Sequence, residues 1–214
     1  MALSKVDYNS LDVTAAASKS IGWDSDPDAL ATSTLGGAWT LISTTTASSS
    51  ASLSITSGLD STYKVYCFRF YNIHPATNNS NFTVGFRDGS TDYDATKTTT
   101  FFDTYHYEDD TSGTGLRYLS DTDLAASTSY HTIGHSMGID NDQSFSGYMY
   151  LFEPSSTTFV KNFFIEVNNC TNDDRSTTYY SAGYCSVTAA IDGVDFKFSS
   201  GNVDAGVIKL YGIN

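Results

Sequence analysis

The sequence has few of the charged residues that nucleic-acid binding requires. Of its 214 residues only 16% are charged, and 11 Lys and Arg stand against 24 Asp and Glu, which gives a formal net charge of −13. The basic residues occur singly along the chain, so they form no patch that could neutralise the phosphates of a nucleic acid. The composition therefore predicts that the protein has no nucleic-acid partner.

Cysteine is also scarce, and its three copies fit neither of the frameworks that cysteine usually builds. Cys67, Cys170 and Cys185 are odd in number and widely spaced, which argues against a zinc site and against a disulfide framework. We expect three buried free thiols on strands, because an unpaired cysteine behaves as a small hydrophobic residue. No cofactor is predicted.

Long apolar runs are missing as well. No segment approaches the roughly 18 apolar residues of a membrane span. The opening residues Met1–Lys5 are not followed by the apolar core of a signal peptide. The sequence therefore predicts synthesis in the cytoplasm and no membrane partner.

What the sequence does contain is typical of β-sheets. Hydrophobic residues make up 40% of the chain and aromatic residues 14%, which is enough for a core and argues against disorder. Ser and Thr supply much of the polar surface, and these residues suit strands better than helices. We find no amphipathic helix of about ten residues.

Alternating apolar and polar residues indicate strands at short intervals. The longest candidate, Tyr63–Ile73, places Tyr66 and Phe70 on one face, and both of its faces are expected to be covered for part of its length. The closing hairpin over residues 191–213 has to pair with strands formed much earlier. About ten strands at this spacing predict an all-β fold, an antiparallel jelly-roll-like β-sandwich over residues 36–214.

Residues 1–35 differ from the rest because their apolar residues are spaced irregularly and an acidic, turn-rich stretch follows. We interpret them as an extended N-terminal arm that lies on another surface. An irregular first strand of the domain is the alternative. Five apolar side chains would make the attachment: Tyr8, Leu11, Val13, Ile21 and Trp23.

A set of turn and aromatic segments is distributed over most of the chain. They are Lys5–Leu11, Trp39–Thr44, Ala47–Ala51, Gly58–Tyr63, Tyr148–Phe152, Phe198–Asn202 and Lys209–Ile213. In this order they resemble a group of uncharacterised proteins of tailed phages, particularly marine and cyanobacterial phages. The resemblance implies a virion component with a jelly-roll-like domain, made in the host cytoplasm and located in the virion. It implies no catalytic residues.

One segment matches a catalytic motif. Gly134–Gly138 reads G-x-S-x-G, the nucleophile elbow of α/β-hydrolases, which needs a strand before it and a helix after it. Residues 139–143 are turn-like, and no histidine follows His135. His131 and His135 would share a face as metal ligands only in a helix. A hydrolase using Ser136 is therefore a remote alternative, and we predict that the protein is not an enzyme.

Three aspartates are weak candidates for a metal site. Asp24, Asp26 and Asp28 alternate as oxygen ligands do at the start of a calcium loop. Ala29 and Leu35 stand where that loop requires Gly and Glu. We therefore predict no metal, with these aspartates as the residues to inspect.

Aromatic residues supply the last candidate site. Tyr105, Tyr107, Tyr179 and Tyr180 could form a sugar-stacking surface on loops. The alternative is that they are core or interface residues, where tyrosine is also enriched.

The sequence thus predicts a phage virion structural protein, with a capsid decoration or cement protein on the particle exterior as the first choice. The chain has no repeat that would build a fibre shaft. Its partners would be copies of itself, in a symmetric oligomer such as a trimer, and other virion proteins such as the major capsid protein. The alternative is a tail or fibre module that binds a host-surface glycan.

Overall fold

The computed structural model describes residues 38–214 in full and, before them, the backbone of two short strands. These strands, β1 (Lys19–Trp23) and β2 (Leu30–Thr34), pair antiparallel. The segment predicted to be an extended arm, residues 1–35, therefore contains a regular hairpin. The irregular spacing of its apolar residues does not indicate this pairing.

Two compact units divide the chain, Met1–Ala38 and Trp39–Asn214. The second unit is built of β-strands. They are β3 (Trp39–Thr46), β4 (Leu53–Ile55), β5 (Val65–Pro75), β6 (Ser80–Arg87), β7 (Lys97–Tyr107), β8 (Thr114–Tyr118), β9 (His131–Met137), β10 (Phe145–Phe152), β11 (Lys161–Cys170), β12 (Arg175–Cys185), β13 (Gly193–Phe198) and β14 (Val203–Ile213). Within the described ranges the only helical element is a single 3₁₀ turn at Ser120–Thr122. Nothing helical in that part of the chain has the length and apolarity to cross a membrane.

The strands form two antiparallel sheets. The larger has eight strands in the order β3-β14-β5-β10-β11-β12-β7-β8, and the smaller has four in the order β4-β13-β6-β9. Eight of these strands form four successive antiparallel pairs: β6 with β9, β5 with β10, β4 with β13, and β3 with β14. The pairs alternate between the sheets, as they do when one long hairpin folds back on itself. The predicted jelly-roll-like β-sandwich is confirmed.

Two inserted hairpins widen the larger sheet. One is β7 with β8, inserted between β6 and β9, and the other is β11 with β12, inserted between β10 and β13. They continue the sheet beyond β10, which doubles it from four strands to eight. Strand β9 of the smaller sheet lies against β11 and β12. The hairpin predicted over residues 191–213 is wrong, because its two strands join different sheets: β13 pairs with β4 and β6, and β14 pairs with β3 and β5. The expectation that this segment pairs with strands formed much earlier is confirmed.

The space between the sheets is filled by aliphatic and aromatic side chains, of which the aromatic rings are among the largest that are fully buried. On β5, Tyr66, Phe68 and Phe70 are buried on the inner side, as the alternation predicts. Cys67 points the other way and is buried too, so both faces of this strand are covered there. All three cysteines are free thiols on strands; Cys67 and Cys185 are buried as expected, whereas Cys170 is only partly buried.

Candidate functional site

The larger sheet has an inner side facing the smaller sheet and an opposite side, which we call the outer face. Because successive side chains of a strand point to opposite sides, the pairing registers assign each residue to one of them. The outer face carries most of the exposed large hydrophobic side chains of the described chain. They are Trp39, Leu41, Tyr71, Phe102, Leu116, Tyr118, Phe164 and Tyr184.

A row of directly opposed residues crosses this face from β14 to β8. Its members in order are Lys209, Arg69, Tyr148, Glu166, Tyr180, Phe102 and Tyr118. The rings of Tyr180 and Phe102 stack with centroids 5.1 Å apart. The Tyr148 hydroxyl donates to Glu166 Oε2 at 2.5 Å. This hydrogen bond and burial raise the pKa of Tyr148 to about 12, so its hydroxyl remains a donor at neutral pH.

The outer face carries little charge although the chain as a whole is strongly acidic. Along the row, Lys209 and Arg69 stand at one end and Glu166 in the middle. Arg69 lies over the ring of Trp39, 5.2 Å from its centroid, and Lys209 lies 5.7 Å from the centroid of Tyr71. Aromatic and Arg enrichment with few other charges is the composition found at the centre of protein interfaces.

A shallow groove of about 390 Å³ lies in the outer face where β10, β11, β12 and β7 run side by side. Ala182 and Thr100, directly opposed on β12 and β7, form its floor. Phe164 and Tyr180 stand at its walls. A second depression of about 250 Å³ shares this floor and extends to Tyr184.

The four tyrosines predicted as a sugar-stacking surface do not lie together. Tyr180 is on the outer face, in the groove wall. Tyr179 points the other way, is only 1% exposed and donates its hydroxyl to the carbonyl of His135 at 2.8 Å. Tyr105 and Tyr107 are half-buried on the inner side of β7. The predicted grouping is therefore wrong, because neighbours on a strand face opposite sides.

Tyr105 instead belongs to a cluster of ion pairs on the inner side of the added strands. The guanidinium carbons of Arg117 and Arg175 lie 4.5 and 5.1 Å from its ring centroid. Arg117 donates twice to the fully buried carboxylate of Asp103, at 3.0 and 2.5 Å. The hydrogen bonds to Asp103 raise the pKa of Arg117. This cluster supports the added strands; sequence reasoning missed it because its members come from β7, β8 and β12.

The G-x-S-x-G segment lies at the end of β9 and continues into a turn, in which the backbone N–H of Gln143 donates to the carbonyl of Asp140. Ser136 has a positive φ of 54°, and its Oγ lies 2.6 Å from Nδ1 of the neighbouring His135. Residues 138–143 form no helix, whereas a nucleophile elbow requires one. The local geometry therefore differs from that of the motif.

The remaining predicted residues fall partly outside the described chain. Attachment residues Tyr8, Leu11 and Val13 and aspartates Asp24, Asp26 and Asp28 all lie outside the described residues. Ile21 and Trp23 lie on β1, for which the structure describes the backbone alone. In the described part, no three His, Cys, Asp or Glu side chains form a group that could hold a metal ion.

His131 lies on a strand rather than in a loop and is completely buried. Its Nε2 lies 2.6 Å from Ser181 Oγ, and its ring packs edge-on against Phe101. Burial, reinforced by the nearby charge of Lys97, lowers the pKa of His131 to about 3. The imidazole is therefore neutral at pH 7 and packs as part of the core.

We expect this histidine to make the fold sensitive to mild acid. Unfolding returns its pKa to about 6.5, so below that pH the unfolded state binds more protons and stability falls as the pH drops towards 3. Between pH 7 and pH 5 this group alone should remove about 2 kcal/mol from the free energy of unfolding. Urea unfolding at both pH values measures the loss, and His131→Gln should abolish most of it. An equal pH dependence in both proteins would contradict the assignment.

Compared with known proteins, the chain matches no family model, no curated protein and no solved structure.

Proposed function

We propose that the protein is a structural component of a phage virion, a capsid decoration protein that binds the particle exterior. The resemblance to tailed-phage proteins supports the assignment to a virion, and the jelly roll is a fold common to viral capsid and lectin domains. The observation that carries the proposal is the outer face. A wide apolar surface on a chain with net charge −13 is the kind of exposed patch that marks a protein contact.

The contact is assigned to one part of the outer face, which we call the anchor patch: Trp39, Leu41, Tyr71 and Tyr211. Trp39 and Tyr211 meet edge to face with centroids 5.8 Å apart, so these rings are already held in place by each other. Large, preorganised aromatic side chains lose little entropy on binding and are frequent hot spots.

The function is adhesion. Each 100 Å² of apolar surface buried against the particle would contribute about 2.5 kcal/mol before the costs of association are subtracted. A decoration protein with several such contacts, in a symmetric oligomer, would resist separation of the capsid subunits beneath it. Catalysis by Ser136 is not part of the proposal, because its motif leads into a turn.

Removing the anchor patch should detach the protein from particles. The double variant Trp39→Ser with Leu41→Ser should lower binding about 30-fold, the equivalent of 2 kcal/mol, since hot-spot residues contribute at least this much. The measurement is co-sedimentation of purified protein with virions that lack it. Phe159→Ser is the matched control, because Phe159 is 69% exposed but lies in the β10–β11 loop.

Two results would contradict the proposal. One is mass spectrometry of purified virions that detects no copy of the chain. The other is equal loss of particle binding in the double variant and in the Phe159 control, which would mean that the anchor patch makes no specific contact.

A receptor-binding role at the tail or fibre is the second candidate function. A specific observation favours it: the groove between Phe164 and Tyr180. The groove shares no lining residue with the anchor patch, although Tyr150 at the groove packs against Trp39 with ring centroids 6.2 Å apart.

A further inference from the structure

We propose that the groove of the outer face binds a neutral glycan. Binding would take place in the isolated protein and does not depend on where the chain lies in a virion. The site differs from the four tyrosines expected from the sequence and shares only Tyr180 with them.

The shape of the groove fits sugar rings. Its floor is low because Ala182 and Thr100 are small, whereas aromatic rings rise around them on the adjoining strands. Phe164, 54% exposed, stands directly opposite Ala182, and the stacked Tyr180 and Phe102 pair adjoins the floor. A pyranose has one apolar face of C–H groups, and an aromatic ring offers a flat apolar surface of matching size.

The polar groups at the groove suit a ligand that carries hydroxyls. Tyr148 occupies one oxygen of the Glu166 carboxylate and leaves Oε1 to accept from a ligand hydroxyl. The Thr100 hydroxyl lies in the floor, and the Asn162 amide lines the continuing depression. A few polar groups among aromatic walls, in a volume of about 390 Å³, are typical of a small-ligand site.

The topology argues against a peptide in the groove. Strands β11, β12 and β7 are each paired on both sides, so their backbone N–H and C=O groups are used within the sheet. A peptide that adds to a sheet needs a free edge, and the groove runs over the face. Only side chains are available here, and a sugar can satisfy its hydroxyls with those.

The charges argue for a neutral sugar. Glu166 is the charged residue that lines the groove, and the chain as a whole carries −13. Arg69, the nearest cation of the row, is separated from Glu166 by Tyr148. An acidic sugar would meet a carboxylate without a basic partner, so it should bind more weakly than a neutral one.

The test uses the full chain and four soluble probes: maltohexaose, cellohexaose, chitohexaose and, as the acidic sugar, sialyllactose. We expect isothermal titration calorimetry to detect at least one neutral probe and to find sialyllactose weaker. Phe164→Ala and Tyr180→Ala should each weaken that binding about tenfold or more. Ala182→Phe, which fills the floor and leaves the walls intact, should abolish it.

Phe159→Ala is the matched control, because Phe159 is an aromatic residue that is 69% exposed and lies in the β10–β11 loop, outside the groove. It should leave binding unchanged, and equal melting temperatures should show that all variants fold. The proposal is overturned if no neutral probe binds, if Phe159→Ala weakens binding as much as Phe164→Ala, or if sialyllactose binds as well as the neutral probes. An oligomer that Phe164→Ala dissociates, without any glycan binding, would assign the groove to a second copy of the chain and also overturn it.

Discussion

Replacing Phe82 by alanine is expected to lower the free energy of unfolding by about 3–5 kcal/mol, the range for removing a buried phenylalanine. Phe82 lies on β6 of the smaller sheet and is fully buried. Its ring centroid lies 5.0 Å from that of Phe198, 5.2 Å from Phe145 and 6.0 Å from Phe70 and Phe196. Because these partners come from both sheets, the cavity would open where the two layers of the sandwich meet.

Urea unfolding of the wild type and variants measures this effect. A loss of this size is a large part of the roughly 5–15 kcal/mol that stabilises a typical domain, so Phe82→Ala leaves little stability to measure. Phe82→Leu is the milder substitution, and it should lower the free energy of unfolding by about 1–1.5 kcal/mol. Phe164→Ala on the outer face is the control, and we expect it to cost less than about 1 kcal/mol, because a half-exposed ring loses little burial. Equal losses for Phe82→Ala and Phe164→Ala would show that the core is not centred on Phe82.

The core was predictable from the sequence because it depends on local alternation. Tyr66, Phe68 and Phe70 occupy every second position of one strand, and this alone fixes that they share a side. The pairing of the C-terminal strand with early strands was predicted from its late position in the chain, but the hairpin expected over residues 191–213 is wrong because β13 and β14 lie in different sheets. A short hairpin at β1 and β2 was missed, since its residues show neither alternation nor a standard two-residue turn.

The outer face could not be predicted because it depends on register between distant strands. Arg69 and Tyr148 are direct partners, as are Tyr180 and Phe102, yet each pair is widely separated in the sequence. Which strands become neighbours was decided by two inserted hairpins that join the sheet beyond β10. One local signal was available: Tyr148, Tyr150 and Phe152 alternate with Met149 and Leu151, which marks β10 as apolar on both sides.

The error about the four tyrosines has a different cause, the alternation of side chains along a strand. Tyr179 and Tyr180 are neighbours in the sequence, so a loop would have allowed both rings to face a ligand. In strand β12 they face opposite layers, one in the core and one in the groove. A correct prediction of the site would have grouped Tyr180 with Glu166 on β11 and Phe102 on β7, the residues directly opposite it.

Replacing Arg117 by methionine is expected to cost about 2–4 kcal/mol, because it leaves the carboxylate of Asp103 buried without a partner. Asp103 is fully enclosed, but the Arg117 side chain is 37% exposed. Water can therefore reach the vacated position and reduce the loss below the 3–5 kcal/mol of a wholly buried pair. Tyr105 would also lose the guanidinium that lies over its ring.

The double variant Asp103→Leu with Arg117→Met separates the ion pair from the packing around it. An apolar pair of similar volume can replace a buried ion pair at little or no cost, so we expect the double variant to recover most of the stability that Arg117→Met loses. Urea unfolding of the wild type, both single variants and the double variant forms a complete cycle, and its coupling energy should exceed about 1 kcal/mol. If the two single losses simply add in the double variant, Asp103 and Arg117 act independently and the added strands are held together by the packing of Tyr105 and its neighbours instead.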